Sequence, residues 1–127
     1  MMSRMDGGPD SVRKLEIWHE AVRAVKAVYE LTQNWPKEEM YGLTNQARRA
    51  AVSVPANLAE GLGRGTPREM ARFAQIALGS LYELDTLLHL AAELAYSSGE
   101  TVASLRETLT TLAKRISAFI AYQEHRQ

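Results

Sequence analysis

Residues Gln46–Arg68 read QARRAAVSVPANLAEGLGRGTPR, and this stretch decides the fold. Apolar residues recur through it at steps of three and four, which is the spacing of one face of a helix. The residues between them are mostly alanine, so neighbouring helices can approach closely. The stretch therefore predicts a helix packed against other helices and followed by a glycine-rich corner. The predicted face consists of Leu43, Ala47, Ala50, Val54, Leu58 and Gly61 or Leu62.

Pro55 lies inside this predicted helix. A proline has no N–H to donate, and its ring crowds the carbonyl four residues back, here that of Ala51. The cost is about 3 kcal/mol where nothing compensates for it. We therefore expect a kink between Ala51 and Pro55. Ser53 and Asn57 are placed to form hydrogen bonds with groups that the proline leaves loose.

A polar stripe follows the same helix at steps of three and four, through Gln46, Arg49, Ser53, Asn57, Glu60 and Arg64. One interpretation is a solvated face with scattered charges. The interpretation we prefer is a partly buried polar seam that fixes the register of the helices, because buried polar groups need partners. If the next helix runs antiparallel, facing positions sum to about 130. That relation predicts an Arg49–Glu83 contact and a contact of Glu60 with Arg72 or Arg64. The seam then comprises Arg49, Ser53, Asn57, Glu60, Ser80 and Glu83.

The corner after the helix carries glycine at positions 61, 63 and 65 and then Thr66-Pro67-Arg68-Glu69. Glycine commonly ends helices in a left-handed conformation. Thr66 can cap the following helix, with Glu69 reaching back as the capping-box residue. A phosphate-binding corner with Arg64 and Arg68 is the functional interpretation. The corner lacks the Lys-Ser/Thr ending of a P-loop and no strand precedes it, so we prefer a simple turn between helices.

The remaining segments also have helical periodicity. Short connections between four helices predict an all-α, antiparallel up-down-up-down four-helix bundle with a Pro-kinked second helix. We expect one bundle domain over residues 12–122, a flexible N-terminal tail over residues 1–11 and a frayed C-terminal tail over residues 123–127. The predicted helices run from about Val12 to Asn34, from Glu38 or Tyr41 to Leu62, from Pro67 to Tyr96, and from Glu100 to Tyr122.

Two of these helices have informative apolar stripes. In the first, heptad steps predict a core face made of Leu15, Trp18, Val22, Val25, Tyr29 and Thr32, with Ala21, Ala24, Val28 and Leu31 widening it. The third has a second stripe beside its main one, formed by Ile76, Leu87, Leu90 and Leu94. A lone small bundle would leave part of this second stripe exposed. Exposed apolar surface of that kind marks an interface, so we expect an oligomer.

Composition excludes several classes of protein. The 127 residues suffice for one domain with its own core, and 46% of them are hydrophobic, so the chain is not disordered. Without cysteine there is no disulfide framework and no thiolate metal site. No apolar run reaches the roughly 18 residues of a membrane span, and the N-terminus lacks the apolar core of a secretory signal. We therefore expect a cytoplasmic protein.

The net charge is zero, from 15 basic and 15 acidic residues, which argues against non-specific binding of nucleic acid. The charges are unevenly distributed. Residues 41–75 hold five arginines and two glutamates, a net charge of +3, whereas residues 76–107 hold five acidic residues and one arginine, a net of −4. These segments either form a local basic patch or neutralise each other as neighbouring helices, and both alternatives stay open.

The central stretch resembles a known family. The run YGLTNQARRAAVSVPANLAEGLGR (residues 41–64), followed by ALGSLYELDTLL (residues 77–88), resembles the four-helix-bundle proteins encoded in intervening sequences of bacterial 23S rRNA genes. The resemblance covers about residues 13 to 122. That family is similar in turn to the accessory variability determinant protein of diversity-generating retroelements, a homopentamer that binds a reverse transcriptase and nucleic acid. The resemblance therefore implies a pentameric ring, and it says more about the fold than about the function.

No stretch reads as an active site, and we expect no catalytic residue, cofactor or metal. Glu16-x-x-His19 occurs once, whereas di-iron bundles need two such motifs and two further glutamates. We expect a non-enzymatic oligomeric scaffold or adaptor that binds itself and a protein or RNA partner. The alternative is a direct nucleic-acid-binding protein. The residues assigned to partner or nucleic-acid binding are Arg48, Arg64 and Arg68, with Lys114 and Arg115 added in the alternative.

Overall fold

The computed structural model describes residues 9–127, with side chains from residue 16 onward. It contains four α-helices and, within this part of the chain, no strand, so the all-α prediction is confirmed. A single 3-10 turn, Lys37–Glu39, lies between the first two helices. Residues 1–8 of the predicted N-terminal tail lie outside the described residues. The side chains of residues 9–15 lie outside them too, including Leu15 of the predicted core face of the first helix. The helices are α1 (Pro9–Thr32), α2 (Leu43–Arg64), α3 (Pro67–Glu93) and α4 (Gly99–His125).

Side-chain contacts show that neighbouring helices run antiparallel. Between α3 and α4, Asp85 pairs with Arg106 and Gln75 bonds Glu124, so positions rise along one helix as they fall along the other. Ser80 of α3 bonds Ser53 of α2, as expected for helices joined by a tight corner. Arg115 of α4 pairs with Glu20 of α1 and closes the bundle. None of the described helices is long and apolar enough to cross a membrane.

The core between α2 and α3 is built from small side chains. Ala47 and Ala51 of α2 and Ala74 and Ala77 of α3 are almost completely buried, which lets the two helices pack closely. At the corner, a Cβ added to Gly61 would lie only 3.1 Å from the Cβ of Phe73 and 3.2 Å from the Cα of Met70. Glycine at this position therefore favours the close helix–helix approach, because an alanine would need its neighbours to move by a few tenths of an ångström. Larger buried residues fill the centre of the bundle: Val28, Val54, Leu81, Leu84, Leu88, Leu112 and Ile116.

The core face of α1 differs from the predicted one. The buried residues are Ile17, Ala21, Ala24 and Val28, with Thr32 following one turn later. The predicted stripe lies beside this face, on the side of α1 nearer to α2. Its side chains are half-buried at Trp18 and Val25 and exposed at Val22 and Tyr29. The physical reason is the pair of alanines, because Ala21 and Ala24 let α1 approach its neighbours more closely than the larger residues would allow.

The ends of α3 and α4 also differ from expectation. Helix α3 ends at Glu93 rather than at Tyr96, because the N–H groups of Ala95 and Tyr96 turn back to the carbonyls of Ala92 and Ala91. Ala95 takes a left-handed φ of 62° in this motif. Helix α4 continues to His125, beyond the predicted boundary at Tyr122, and Gln123 of the predicted frayed tail is fully buried.

Pro55 lies inside an uninterrupted α2 and is itself buried. The amide of Asn57 donates to the carbonyl of Ser53 at 2.8 Å and to its hydroxyl at 2.9 Å. Asn57 therefore bonds the carbonyl of Ser53, not the carbonyl of Ala51 that the proline leaves without an N–H donor. The kink at Pro55 stays a prediction.

Candidate functional site: the arginines and the exposed apolar surfaces

The corner between α2 and α3 follows the predicted turn chemistry. Gly65 ends α2 with a φ of 80°, and its N–H donates to the carbonyl of Gly61 at 3.2 Å. Thr66 caps α3 by accepting a hydrogen bond of 3.2 Å from the N–H of Glu69. The side chain of Glu69 turns toward arginines instead of completing a capping box with Thr66. The helix caps therefore stabilise the corner without the Glu69 side chain, which pairs with Arg64 and Arg72 instead.

Arg64 lies in a mixed cluster at this corner. Its guanidinium pairs with Glu60 at 3.2 Å, as predicted, and with Glu69 at 3.3 Å. Arg72 pairs with the same Glu69 at 3.4 Å, and both guanidiniums lie about 5 Å from the ring centroid of Phe73. Glu60 and Glu69 therefore offset most of the positive charge that Arg64 and Arg72 bring to the corner. Exposed pairs of this kind contribute about 0–1 kcal/mol each.

Arg68 has a different environment from its neighbours. It is exposed on the first turn of α3, and within the described residues it forms no hydrogen bond or ion pair. Its guanidinium is available to an anionic ligand. A single unpaired arginine beside a neutralised cluster provides little attraction for a nucleic acid. The affinity of such binding increases with the number of cations that contact the phosphate backbone.

Arg48 is held against α1. Its Nε donates to the hydroxyl of Thr32 at 2.8 Å, and its guanidinium lies 4.5 Å from the ring centroid of Tyr29. Thr32 is buried and its hydroxyl also donates to the carbonyl of Val28 at 2.8 Å, so the anchor is rigid. The terminal nitrogens of Arg48 have no partner among the described residues. The side chain is therefore preorganised to bind a carboxylate or phosphate from another molecule. Neither Thr32 nor Tyr29 was identified from the sequence as a partner of Arg48, because they are distant in the chain.

Only the middle of the predicted seam is joined by hydrogen bonds. Ser80 donates to the hydroxyl of Ser53 at 2.8 Å, and Asn57 donates to the same hydroxyl, so three half-buried side chains form one network between α2 and α3. Each member has a partner inside the protein, which fits a role in register. All three residues belong to the predicted seam, but the hydrogen bond between Ser53 and Ser80 was not itself predicted.

The charged members of the predicted seam are on the surface. Arg49, Glu60 and Glu83 are exposed, and the predicted Arg49–Glu83 pair is not among the ion pairs of the described residues. Glu60 pairs with Arg64, one turn along its own helix, rather than with α3. The physical reason is the cost of burying charge, which drives the guanidinium and carboxylate to water when serine and asparagine can fill the interface.

At the opposite end of the bundle, Glu39 connects two loops. One of its carboxylate oxygens accepts from the N–H of Leu43, the first residue of α2, at 2.9 Å, and the other accepts from the hydroxyl of Tyr96 at 2.8 Å. The hydrogen bond from Leu43, followed by that from Tyr96, lowers the pKa of Glu39. The same contact raises the pKa of Tyr96, because ionising the phenol would place two anions together. Beside them, the Trp35 indole donates to the hydroxyl of Ser97 at 2.7 Å.

A bidentate ion pair joins α3 to α4. The guanidinium of Arg106 donates to the two carboxylate oxygens of Asp85 at 2.7 and 3.0 Å, and this hydrogen bonding raises the pKa of Arg106. Arg106 also lies 3.2 Å from Nδ1 of His89, and His89 lies 3.5 Å from Glu93. The partly exposed chain of charges fixes the register of the two helices.

Glu16 and His19 are exposed on α1, beside Glu20 and Arg115. Glu20 is already paired with Arg115, and the group contains Arg23 as a second cation. No group of three or more metal-ligating side chains is placed to hold a metal ion within the described residues.

A groove of about 800 Å³ opens between the end of α1 and the start of α4. Hydroxyl groups dominate its polar lining, together with the carboxylates of Glu30 and Glu100. None of its lining residues is cationic, so the groove is unsuited to phosphate. The hydroxyls belong to Tyr96, Ser97, Ser98, Thr101, Ser104 and Thr108.

Large apolar side chains are exposed in two places, one where α1 meets α2 and the other on α3, which packs on the opposite flank of α2. The first set, here called the α1–α2 surface, consists of Val22, Tyr29 and Val52, each about 40% exposed, and of the half-buried Trp18 and Val25 beside them. The second set, here called the α3 surface, consists of Ile76, Leu90 and Leu94, with Met40 and Tyr41 at the same end of the bundle as Leu94. Tyr41 is 90% exposed. Neighbouring large apolar side chains exposed on a small domain are characteristic of interfaces.

The fold is that of an antiparallel four-helix bundle with short connections. A family model described as 23S rRNA-intervening sequence protein matches residues 13–118. The chain therefore belongs to the 23S rRNA-intervening sequence protein family, as its central motif predicted.

One solved structure similar to this chain is a protein of unknown function from the S23 ribosomal protein family of Bacteroides thetaiotaomicron VPI-5482. Its TM-score is 0.76 at 19% identity, over 86% of this chain and 98% of that one, which supports the bundle fold. No curated protein matches the chain. The likeness to the retroelement accessory protein stays an expectation from the sequence.

Proposed function

We propose that the protein is a non-enzymatic, homo-oligomeric scaffold that binds a protein or RNA partner. The observation that carries this proposal is the exposure of large apolar side chains on the α1–α2 surface and the α3 surface, in a chain that buries most of its other large apolar side chains. Leaving this area in water costs free energy that association recovers, at about 25 cal/mol for each Å² of apolar surface buried. The pentameric number rests on the resemblance alone.

The preorganised Arg48 fits the same proposal. An anchored guanidinium with unused donors beside an apolar surface is a common feature of interfaces, where arginine is enriched. We place the protein in the cytoplasm as part of the proposal, since a chain without cysteine needs no oxidising compartment.

Direct binding of nucleic acid is the second candidate, favoured by the exposed Arg68 and by the name of the family. Glu60 and Glu69 at the same corner and the zero net charge weigh against it. If Arg68 contacts a phosphate, Arg68→Gln should weaken binding of a short structured RNA and reduce its salt dependence by about one counterion.

The deciding experiment is the mass in solution by light scattering, at low and high salt, with and without that RNA. A stable oligomer that ignores RNA supports the scaffold. A salt-sensitive complex with RNA supports the second candidate, and Arg68→Gln then tests the corner. A monomer at all concentrations and salts contradicts the oligomeric scaffold.

A further inference from the structure

We propose that the α1–α2 surface of one copy binds the α3 surface of the next copy, so that identical chains join head to tail. This inference rests on the proposed oligomerisation and specifies which residues form its interface. Each α1–α2 surface is thus covered by the α3 surface of a second copy of this chain.

The first argument is geometric. Arg48 and Val52 lie on the flank of α2 that faces α1, as the contact of Arg48 with Thr32 shows. Ser53 lies on the opposite flank, where it bonds Ser80. Ile76 lies one turn before Ser80 on α3, and Leu90 and Leu94 come later on the same side of that helix. A two-fold dimer formed by either surface with itself would leave the other surface in water. Pairing the two different surfaces covers both with a single type of contact.

The second argument is the charge around each surface. Lys26, exposed on α1, and the terminal nitrogens of Arg48 bring positive charge to the α1–α2 surface. Glu83, exposed between Ile76 and Leu90, and Glu38, exposed beside Met40, bring negative charge to the α3 surface. None of these groups forms an ion pair within the described residues. Opposite charges then meet in the head-to-tail arrangement, whereas either surface paired with itself would bring like charges together.

Arg49 belongs to neither surface. It is exposed on the outer side of α2, between the two sets, and has no ion-pair partner within the described part of the chain.

The test uses one charge insertion in each surface. Val52→Glu disrupts the α1–α2 surface and leaves the α3 surface intact, while Leu90→Glu does the reverse. Both positions are more than 40% exposed, so the fold should tolerate the change. Ala118→Glu, at an exposed position of α4 outside both surfaces, is the matched control. Helical content and thermal unfolding establish that each variant folds.

In a head-to-tail assembly, each interface variant alone should be a monomer, and Ala118→Glu should keep the mass of the natural protein. An equimolar mixture of Val52→Glu and Leu90→Glu should form a dimer and stop there. The reason is that one intact α3 surface and one intact α1–α2 surface make a single junction. Sedimentation velocity of the separate and mixed variants, at matched concentration, measures this outcome.

Three results would overturn the inference. If one variant alone keeps a stable dimer, the interface pairs a surface with itself. If both variants keep the natural mass, the copies associate elsewhere, although the oligomeric scaffold itself stands. If both variants are folded monomers whose mixture shows no dimer, the two surfaces do not bind each other. A monomeric natural protein would instead contradict the proposed function. The mass of the natural protein is therefore measured before any variant is made.

Discussion

The hydroxyl of Tyr96, just beyond the end of α3, donates a hydrogen bond of 2.8 Å to the carboxylate of Glu39, just before the start of α2. The same carboxylate accepts from the first N–H of α2, where a negative charge also interacts favourably with the helix dipole. Gly42 leaves room for it, since a Cβ at that position would lie 2.6 Å from the Glu39 oxygen. One side chain thus orients the start of one helix and the exit from another.

Glu39→Gln should lower stability at neutral pH and flatten its decrease in acid. The lowered pKa of Glu39 means that its contribution is fully present above its ordinary value of 4.5 and is lost as the pH falls through the lowered folded value. Urea unfolding measured from pH 7 to pH 3 should show the natural protein and the variant converging in acid.

The control for this experiment is Glu107→Gln, which neutralises an exposed glutamate of α4. Parallel pH curves for Glu39→Gln and the natural protein would contradict the assigned role. In alkali the contribution of Tyr96 has the opposite sign. Its pKa is raised above 10.0, so its stabilisation is present below pH 10.0 and is lost as the pH rises through the folded value.

Gly61→Ala and Gly79→Ala form a matched pair within helices. Alanine is about 1 kcal/mol better than glycine in a helix interior. At Gly79 nothing lies within 4 Å of the added Cβ, so we expect an increase in unfolding free energy of about that size. At Gly61 the Cβ lies 3.1–3.3 Å from Cβ and backbone atoms of α3, so these atoms have to give by a few tenths of an ångström, and we expect a net loss of about 1 kcal/mol. Denaturant unfolding measures both, and equal gains would show that the corner can relax.

Ala95→Gly should stabilise the protein. Ala95 has a φ of 62°, a conformation that costs an alanine about 1–2 kcal/mol and glycine little. The greater freedom of glycine in the unfolded chain offsets part of this gain, so we expect about 0.5–1 kcal/mol. Ala118→Gly, at an exposed position inside α4, should instead lose about 1 kcal/mol. Two changes of the same sign in thermal unfolding would contradict the left-handed backbone at Ala95.

The Ser53–Ser80 hydrogen bond should appear as a coupling energy. Ser53→Ala, Ser80→Ala and the double variant complete a cycle, and we expect an interaction of about 0.5–1.5 kcal/mol for one net hydrogen bond. The pair Ser80→Ala with Ser104→Ala, on the distant exposed face of α4, should be additive. A coupling near zero for the first pair would mean that water replaces either hydroxyl without loss.

Local chemistry explains why much of the fold could be predicted. Gly65 and Thr66 end one helix and start the next through backbone conformation and a cap that depend on neighbouring residues only. Counting outward from this corner in two antiparallel helices predicted an Arg49–Glu83 contact, whereas the contact that forms across this interface joins Ser53 and Ser80. The bonds of Glu39 to Tyr96 and of Arg48 to Thr32 were not predicted, because their partners are 57 and 16 residues apart and meet only when loops and helices pack.

By itself, the sequence determined the four helices, their order and the tight corner, since helical periodicity and capping act over a few residues. Tertiary structure decided which residues of each apolar helix face are buried in the core. In α1 the alanines at 21 and 24 are buried, whereas Val22 and Tyr29 are exposed. Tertiary structure also decided the state of each arginine. Arg48 is anchored on Thr32, Arg64 is neutralised by Glu60 and Glu69, and Arg68 is exposed, because the charge that a guanidinium offers depends on neighbours brought by packing.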